Sequence, residues 1–331
     1  MKVRFFDPGR AYLKHRDELL AEYDRVRTAG DLVLRYDVSA FERNLAEFVG
    51  TKYAVALNSG TDALVLALKA AGVGTIHWSV AVPAHTFKST AGAVKTAHPD
   101  ATIDVYDLHE IPEDADVAIV AHIAGELYPL PKVNYYLIED AAQALGAVKN
   151  PTSFAQCWSF YPAKILGAPG DAGAVTTNDE RVADYVRGAR NHFKDDNCGF
   201  GINSRLDNVW AAELNVWFRH LPARLEKRKA IADKYGSMLW ALPIILPQES
   251  RGRVWQDYII RTTERDTLFE FLKTQGIETL KNEYPWAPGY TKPPVAAQYE
   301  KETLRLPCNP EVMDEEVEYV IAAIQKFYDG F

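Results

Sequence analysis

Residues 53–72 read YAVALNSGTDALVLALKAAG, in which a short apolar run precedes a longer stretch of helical spacing. The run YAVAL is apolar throughout rather than alternating, as is typical of a strand covered on both faces of a sheet. The apolar residues that follow repeat every three or four positions, and Gly72 can cap the helix that we predict from Asp62 to Ala71. This strand, loop and helix indicate an α/β fold.

Four more strand-like runs follow and alternate with helical or turn-rich stretches. This alternation predicts a large domain with a central, mostly parallel sheet flanked by helices. Helical spacing also predicts helices at Asp17–Arg27 and Phe41–Phe48, the second ending before Gly50. The four runs are HWSVAV from His77, TIDVY from Thr102, VAIVA from Val117 and YYLI from Tyr135.

A long helical stretch extends from Val209 to about Trp240 and contains Pro222. Because proline disrupts the interior of a helix, we predict two consecutive helices separated near Leu221.

After the long helical stretch, the sequence loses its helical spacing near Leu242, within the run ALPIILP at residues 241–247. We therefore predict a large domain at residues 1–240, which includes the N-terminal segment, and a smaller C-terminal α+β domain at residues 241–331. The smaller domain is predicted to hold a strand at DYIIR and helices at Arg265–Thr274 and Asp314–Phe327.

Composition narrows the classes of function. The formal net charge of -8 argues against nonspecific nucleic-acid binding, which needs a basic surface. The N-terminus shows no apolar core of signal-peptide length, and no apolar run approaches the roughly 20 residues of a membrane span, so a cytoplasmic location is expected.

Cys157, Cys198 and Cys308 are too widely spaced for a disulfide framework, a zinc ribbon or an iron–sulfur cluster, and no metal site is predicted.

Ser59, Gly60 and Thr61 come directly before the predicted helix at Asp62. Free backbone N–H groups and the helix dipole favour an anion such as a phosphate at that position, and the Thr61 hydroxyl can donate as well. An ordinary N-cap without a ligand explains the same residues.

The run YYLI is followed by Glu139 and Asp140, which places a carboxylate at the edge of the sheet where ligands bind in open α/β folds. A later strand delivers Ser159 to the same edge, and Lys164 follows in a turn that contains Pro162. A lysine held beside a phosphate site can form an imine with an aldehyde. Taken alone, Lys164 is better explained as a solvated surface lysine, since most lysines are exposed.

Together these motifs resemble the DegT/DnrJ/EryC1/StrS family of sugar aminotransferases, which belong to the fold-type I pyridoxal-phosphate enzymes. The resemblance spans nearly the whole chain and keeps the order of the family's motifs. The motifs are FFDP, FERNLAEFVGTKYAVALNSGTDALVLALKAAG, VPAHTFKST, AHIAG, LIEDAAQALGA, SFYPAKILGAPGDAGAVTTND, NSRLDN with AAELN, and LRLPCNPEV.

The resemblance implies pyridoxal 5'-phosphate as cofactor, with Lys164 forming the internal aldimine and Asp140 pairing with the pyridine nitrogen. The implied reaction moves an amino group from glutamate to a nucleotide-linked keto-sugar. A homodimer with shared active sites is implied as well, because family members take a phosphate-binding asparagine from the neighbouring subunit. The other implied contacts are Gln143 with the ring oxygen, Phe87 or His85 over one ring face, and Gly60, Thr61 and Ser159, with Asn203 of the second subunit, around the phosphate.

Four positions depart from the family's pattern where the sugar or its nucleotide is expected to lie, and neutral drift is an alternative explanation of each. Gln256, Glu283 and Asn309 stand where relatives often have histidine, and Trp210 stands where they have glutamine. The loop around Lys164 looks more like members that aminate C3, whereas AHIAG looks more like those that aminate C4. We favour a 3-keto acceptor, and we expect Glu283 to disfavour a uronic acid through like-charge repulsion.

Two alternatives stay open at this point. A dehydratase of the same family replaces the lysine by histidine or uses an iron–sulfur cluster, and Lys164 and the scattered cysteines argue against both forms. A noncatalytic regulatory protein that binds the cofactor or a nucleotide-sugar would not need Lys164 and Asp140. A nicotinamide dehydrogenase is disfavoured because no G-x-G-x-x-G opens a helix after the first strand.

Overall fold

The computed structural model describes residues 1–72, 78–107, 110–194, 199–250, 252–281 and 289–330. A seven-stranded sheet has the order β1-β7-β6-β5-β4-β2-β3. Strand β7 is antiparallel to both of its neighbours, and every other pair in the sheet is parallel. The strands are β1 (Tyr53–Leu57), β2 (Ser79–Pro83), β3 (Thr102–Tyr106), β4 (Val117–Ala121), β5 (Tyr136–Asp140), β6 (Ala155–Ser159) and β7 (Gly173–Thr177).

Helices cover both faces of this sheet, which explains its continuous apolar strands. In β1, Val55 and Leu57 face one hydrophobic cluster, and Ala54 and Ala56 face the other. The first cluster includes α3 (Gly60–Ala70), α4 (Lys88–Ala97) and α5 (Glu180–Ala189), and the second includes α1 (Pro8–Ala29), α2 (Tyr36–Val49) and the first part of α6 (Asn208–Leu239).

A second, three-stranded antiparallel sheet lies in the C-terminal part, in the order β8-β10-β9. A third hydrophobic cluster surrounds it, to which Val3 and the end of α6 also contribute, through Ile231, Tyr235 and Leu239. The domain boundary at residues 240 and 241 remains a prediction. The elements are β8 (Tyr258–Arg261), α7 (Arg265–Thr274), β9 (Leu280–Lys281), α8 (Pro294–Glu302), β10 (Thr303–Leu306) and α9 (Asp314–Asp329).

The predicted fold class is confirmed, and several elements agree closely with the sequence patterns. Strands β1, β3 and β4 and helix α7 have the predicted bounds. Strand β5 begins one residue after the start of YYLI and extends through Glu139 to Asp140. Part of HWSVAV, including His77, lies outside the described residues, and β2 begins at Ser79.

The predicted division of the long helical stretch near Leu221 is wrong, because α6 is one helix of 32 residues that contains Pro222. Proline removes one backbone hydrogen bond, to the carbonyl of Phe218. Packing on both sides of the proline offsets this loss: Leu214, Trp217 and Leu221 are buried against the second cluster, and the later turns against the third.

The first helix also begins earlier than predicted, at Pro8 instead of Asp17. The Asp7 side chain accepts a hydrogen bond from the Arg10 backbone N–H, and proline at the first helical position suits this start. Arg10 then forms a two-point ion pair with Glu316 of α9, at 2.8 and 3.0 Å. Helix α2 likewise begins at Tyr36, five residues before Phe41.

Among the described helices, none is both long and apolar enough to cross a membrane.

Replacing Pro222 by alanine tests whether α6 is one helix. Pro222 is exposed, so the substitution removes no core packing, and it restores a hydrogen-bond donor inside the helix. We expect the free energy of unfolding to rise by about 1–3 kcal/mol, measured by thermal and denaturant unfolding. A neutral or destabilising effect would instead indicate two helices with Pro222 at the favourable start of the second.

Candidate active site

A cavity of about 700 Å³ opens where the N-terminus of α3, the ends of β5 and β6, and the C-terminal sheet meet. The carboxyl ends of parallel strands are where open α/β sheets bind ligands. Seven of the site residues predicted from the sequence line it: Gly60, Thr61, Phe87, Asp140, Gln143, Ser159 and Lys164.

The start of α3 forms one wall of the cavity. Ser59 is the N-cap, and its hydroxyl accepts from the Asp62 backbone N–H at 3.1 Å. Gly60 lies against Ser159 so closely that a Cβ on Gly60 would be 2.8 Å from the Ser159 Cβ. The ordinary N-cap is therefore present, and it leaves the Thr61 hydroxyl without a hydrogen bond to the described residues. The helix start, Thr61 and Ser159 together fit an anion the size of a phosphate.

Asp140 is the last residue of β5 and is nearly buried at the floor of the cavity. Its Oδ2 accepts from the Thr90 hydroxyl at 2.8 Å, and Thr86 donates to Thr90 at the same distance. Its Oδ1 accepts from the Ala142 backbone N–H at 3.3 Å. Sequence reasoning missed the two threonines, although both lie within VPAHTFKST.

Lys164 lies in the loop that follows β6, where its backbone N–H donates to the Tyr161 carbonyl at 2.8 Å. The side chain lines the cavity, and its amine makes no hydrogen bond or ion pair with the described residues. Burial lowers the pKa of Lys164, whereas Asp140 and Asp257 oppose the shift. An unpaired lysine with a lowered pKa is suited to attack an aldehyde, because its neutral form is the nucleophile.

Gln143 is held by a 2.7 Å hydrogen bond from the Ala124 backbone N–H to its Oε1, which leaves its amide nitrogen for a ligand. Beside it, His122 also lines the cavity and was not predicted. The His122 Nδ1 accepts from the Tyr128 backbone N–H, so its Nε2 carries the proton and donates to Glu139 at 2.8 Å. Glu139 is thus occupied in the core, and Asp140 is the carboxylate presented to the cavity.

The two residues predicted to cover the cofactor ring lie in different places. Phe87 is 57% exposed and lines the cavity. His85 is 8% exposed and lines two smaller cavities, with its ring packed edge-on against Tyr299. Burial and the positive charge of Lys292 lower the pKa of His85 to about 4. Of the two alternatives, Phe87 is the one whose position fits a ring in the main cavity.

Asn203 does not line the cavity of its own chain. It is exposed and forms an isolated antiparallel bridge with Asn191. Its predicted role in a second subunit's site is neither shown nor contradicted by this position.

The four positions that depart from the family's pattern are not all at the cavity. Gln256 and Asn309 line it, and Asn309 donates to the Phe5 carbonyl at 2.7 Å. Trp210 packs against the second hydrophobic cluster instead. Glu283 lies outside the described residues.

These residues fit pyridoxal 5'-phosphate. The wall at Gly60 would hold the phosphate, the amine of Lys164 is available to condense with the aldehyde, and the carboxylate of Asp140 suits a protonated ring nitrogen.

Replacing Gly60 by alanine tests the phosphate wall. The added Cβ forces Ser159 away, and overpacking of this kind costs about 1–3 kcal/mol, so we expect affinity for pyridoxal 5'-phosphate to fall about tenfold or more. Spectroscopic titration of the apoprotein measures it. The matched control is Gly92→Ala in α4, where a Cβ meets nothing within 4 Å. Equal affinity in both variants would remove Gly60 from the phosphate site.

Comparison with known proteins identifies the family. The family model described as the DegT/DnrJ/EryC1/StrS aminotransferase family matches residues 14–325. The chain is 32% identical to a pleiotropic regulatory protein of Geobacillus stearothermophilus, with all of both chains covered. It is 31% identical to dTDP-3-amino-3,6-dideoxy-alpha-D-galactopyranose transaminase of Aneurinibacillus thermoaerophilus, covering 98% of this chain and 99% of that protein.

Among solved structures, S. venezuelae DesV superposes with a TM-score of 0.90 at 31% identity, covering 99% of each chain. The family's aminotransferases depend on pyridoxal 5'-phosphate, which agrees with the fit of the cavity to this cofactor. The chain belongs to the DegT/DnrJ/EryC1/StrS aminotransferase family and is a pyridoxal-phosphate-dependent aminotransferase of nucleotide sugars.

Proposed function

We propose that the enzyme takes its amino group from glutamate and transfers it to a nucleotide-linked 3-keto-sugar, with a 4-keto-sugar as second candidate. The observation that carries the proposal is the unpaired amine of Lys164, which shares a cavity with the carboxylate of Asp140. The choice of C3 is supported by the loop around Lys164 and by the name of the A. thermoaerophilus relative, a 3-amino-sugar transaminase.

The residues of the chain have separate tasks in such a reaction. Bound pyridoxal 5'-phosphate supplies the electron sink for breaking a C–H bond next to nitrogen. Asp140 keeps the ring nitrogen protonated, and Thr90 and Thr86 fix the orientation of its carboxylate. The amine of Lys164 would serve as the base that takes the proton from the substrate carbon and returns it during the transfer.

The two half-reactions follow each other at the same lysine, which makes the proposed kinetics ping-pong. Glutamate binds first and leaves as its keto acid, and the keto-sugar then enters the same cavity. The volume of about 700 Å³ lies within the range of small-molecule sites. Gln256 and Asn309, which line this cavity, are positioned to contact the acceptor.

We further propose a homodimer in which Asn203 of one subunit completes the phosphate site of the other. The proposal is supported by the exposure of Asn203 and by its distance in sequence from Thr61 and Ser159. The neighbouring Ile202 is an exposed apolar side chain, at 39%, and suits a subunit contact.

A regulatory role is the second candidate, because the G. stearothermophilus relative carries that name. A protein that only binds a ligand does not need an amine free to react. Conversion of the bound cofactor by glutamate separates the two functions.

The acceptor proposal is tested by steady-state rates with matched 3-keto and 4-keto nucleotide sugars, each with and without a C6 carboxylate, and with glutamate as donor. We expect the 3-keto-sugar without the carboxylate to give the highest kcat/KM. Discrimination by an unpaired buried polar or charged group is worth about 1–3 kcal/mol, so the preference should be about tenfold or more.

Lys164→Ala is the control for this assay and should abolish turnover with every acceptor. A clear preference for the 4-keto-sugar would overturn the regiochemistry, and a preference for the uronic acid would overturn the role given to Glu283. Absence of any transfer, together with cofactor that glutamate does not convert, would favour the regulatory role.

The shared site is tested with mixed dimers of a Lys164→Ala chain and an Asn203→Ala chain. Each mixed dimer contains one site with both residues intact, so equal mixing should restore roughly a quarter of the wild-type activity. Subunit exchange is verified with a differently tagged chain. If activity is not restored after complete exchange, Asn203 serves its own chain or does not bind phosphate.

A further inference from the structure

Arg228 of α6 lines the cavity although only 2% of the residue is exposed. Its Nη1 donates to the carbonyl oxygens of Trp255, Gln256 and Cys308 at 3.0, 2.8 and 3.1 Å. Among the described residues, neither its buried Nε nor its Nη2 has a hydrogen-bond partner. The guanidinium thus has donors left over at the wall of a substrate-sized cavity.

Arg228 also has no ion pair of its own in the described part of the chain. It contacts no carboxylate among the described residues, whereas two other cations of the cavity wall do: Arg305 pairs with Asp257, and Lys281 pairs with Asp266 at 2.6 Å. The carboxylates of Asp257 and Glu311 both act on the charge of Arg228, but Asp257 is bound by Arg305, and Glu311 is bound by Arg224 at 2.5 Å. A buried charge without a counterion is costly, and an anionic ligand in the cavity would remove that cost.

The position of Arg228 relative to Lys164 decides which anion fits. Gln256 accepts from Arg228 through its carbonyl, and its side-chain nitrogen donates to the Ala163 carbonyl at 2.9 Å, one residue before Lys164. Two hydrogen bonds therefore connect the guanidinium to the lysine loop. In an amino acid the α-carboxylate is attached to the carbon that bears the reacting nitrogen, so this carboxylate must lie close to the Lys164 amine during the reaction. The start of α3, which would hold the cofactor phosphate, is a separate wall of the cavity.

We propose that Arg228 forms a carboxylate subsite that binds the α-carboxylate of the amino-acid donor. This inference rests on the proposed aminotransferase function with an amino-acid donor. Arginine is suited to the task because its fork of N–H groups matches the two oxygens of a carboxylate. The three carbonyl contacts hold the guanidinium in place before the ligand arrives, so little side-chain entropy is lost on binding.

The experiment compares Arg228→Gln and Arg228→Lys in the two half-reactions of the cofactor-loaded enzyme, followed by cofactor absorbance in single turnovers. With glutamate, we expect Arg228→Gln to lower the second-order rate constant about 10- to 100-fold, the usual effect of losing a charged hydrogen bond. Arg228→Lys keeps the charge but not the fork of N–H groups, so its rate constant with glutamate should lie between those of Arg228→Gln and the wild type. With the nucleotide amino-sugar in the reverse half-reaction, both variants should match the wild type.

Two further measurements keep the proposal testable. Arg224→Gln on the same helix is the matched control, because Arg224 already has Glu311 as partner and does not line the cavity; it should not change the glutamate half-reaction. Binding of glutarate to the holoenzyme, measured by isothermal titration, should weaken in Arg228→Gln without any turnover being required. Melting curves and cofactor content show whether each variant is folded.

Three results would overturn the proposal. Equal losses in both half-reactions would assign Arg228 to positioning the lysine loop, and a loss restricted to the amino-sugar would assign its anion to the sugar substrate. Unchanged glutarate binding in Arg228→Gln would exclude the subsite even if no sugar is converted. An enzyme that glutamate converts but no nucleotide amino-sugar does would contradict the proposed acceptor and leave the Arg228 result standing.

Discussion

The close approach of α3 to the ends of β6 and β7 is the contact on which the site depends. Two glycines permit it: a Cβ on Gly60 would be 2.8 Å from the Ser159 Cβ, and one on Gly173 would be 2.2 Å from the Ser59 carbonyl carbon. The absence of both side chains brings the backbone N–H groups of the helix start to the edge of the sheet. Because β6 leads directly into the loop of Lys164, the same contact fixes the distance between the phosphate wall and the lysine.

Much of the site could be predicted because its residues follow strands that are recognisable locally. YAVAL, VAIVA and YYLI are short apolar runs, and the predicted site residues Asp140 and Ser159 are the last residues of β5 and β6. Patterns of this kind depend on a few neighbouring residues, so they can be recognised without knowledge of the tertiary structure. The resemblance to a family then assigned roles to Lys164 and Asp140 that spacing alone left open.

The parts that sequence reasoning missed depend on contacts between distant segments. Thr90 reaches Asp140 from 50 residues away, and Arg228 reaches Cys308 from 80 residues away. Pro222 was expected to divide α6, but two separate hydrophobic clusters hold the helix on either side of it. His85 and Phe87 are two residues apart, and which of them enters the cavity follows from the packing of His85 against Tyr299. None of these contacts has a local signal in the sequence.

The two halves of the cavity are built from different parts of the fold, which has a consequence for specificity. Gly60, Asp140 and Ser159 come from the ends of the central sheet and its first covering helix, where both faces are packed. Gln256 and Asn309 come from the segments around the C-terminal sheet, and the buried Oε1 of Gln256 has no hydrogen-bond partner within the described ranges. A buried acceptor without a donor is costly in the free protein and is satisfied when a ligand or water donates to it. If the proposed acceptor binds on the C-terminal side, substitutions there would change which sugar hydroxyl is recognised without disturbing the residues that suit the cofactor.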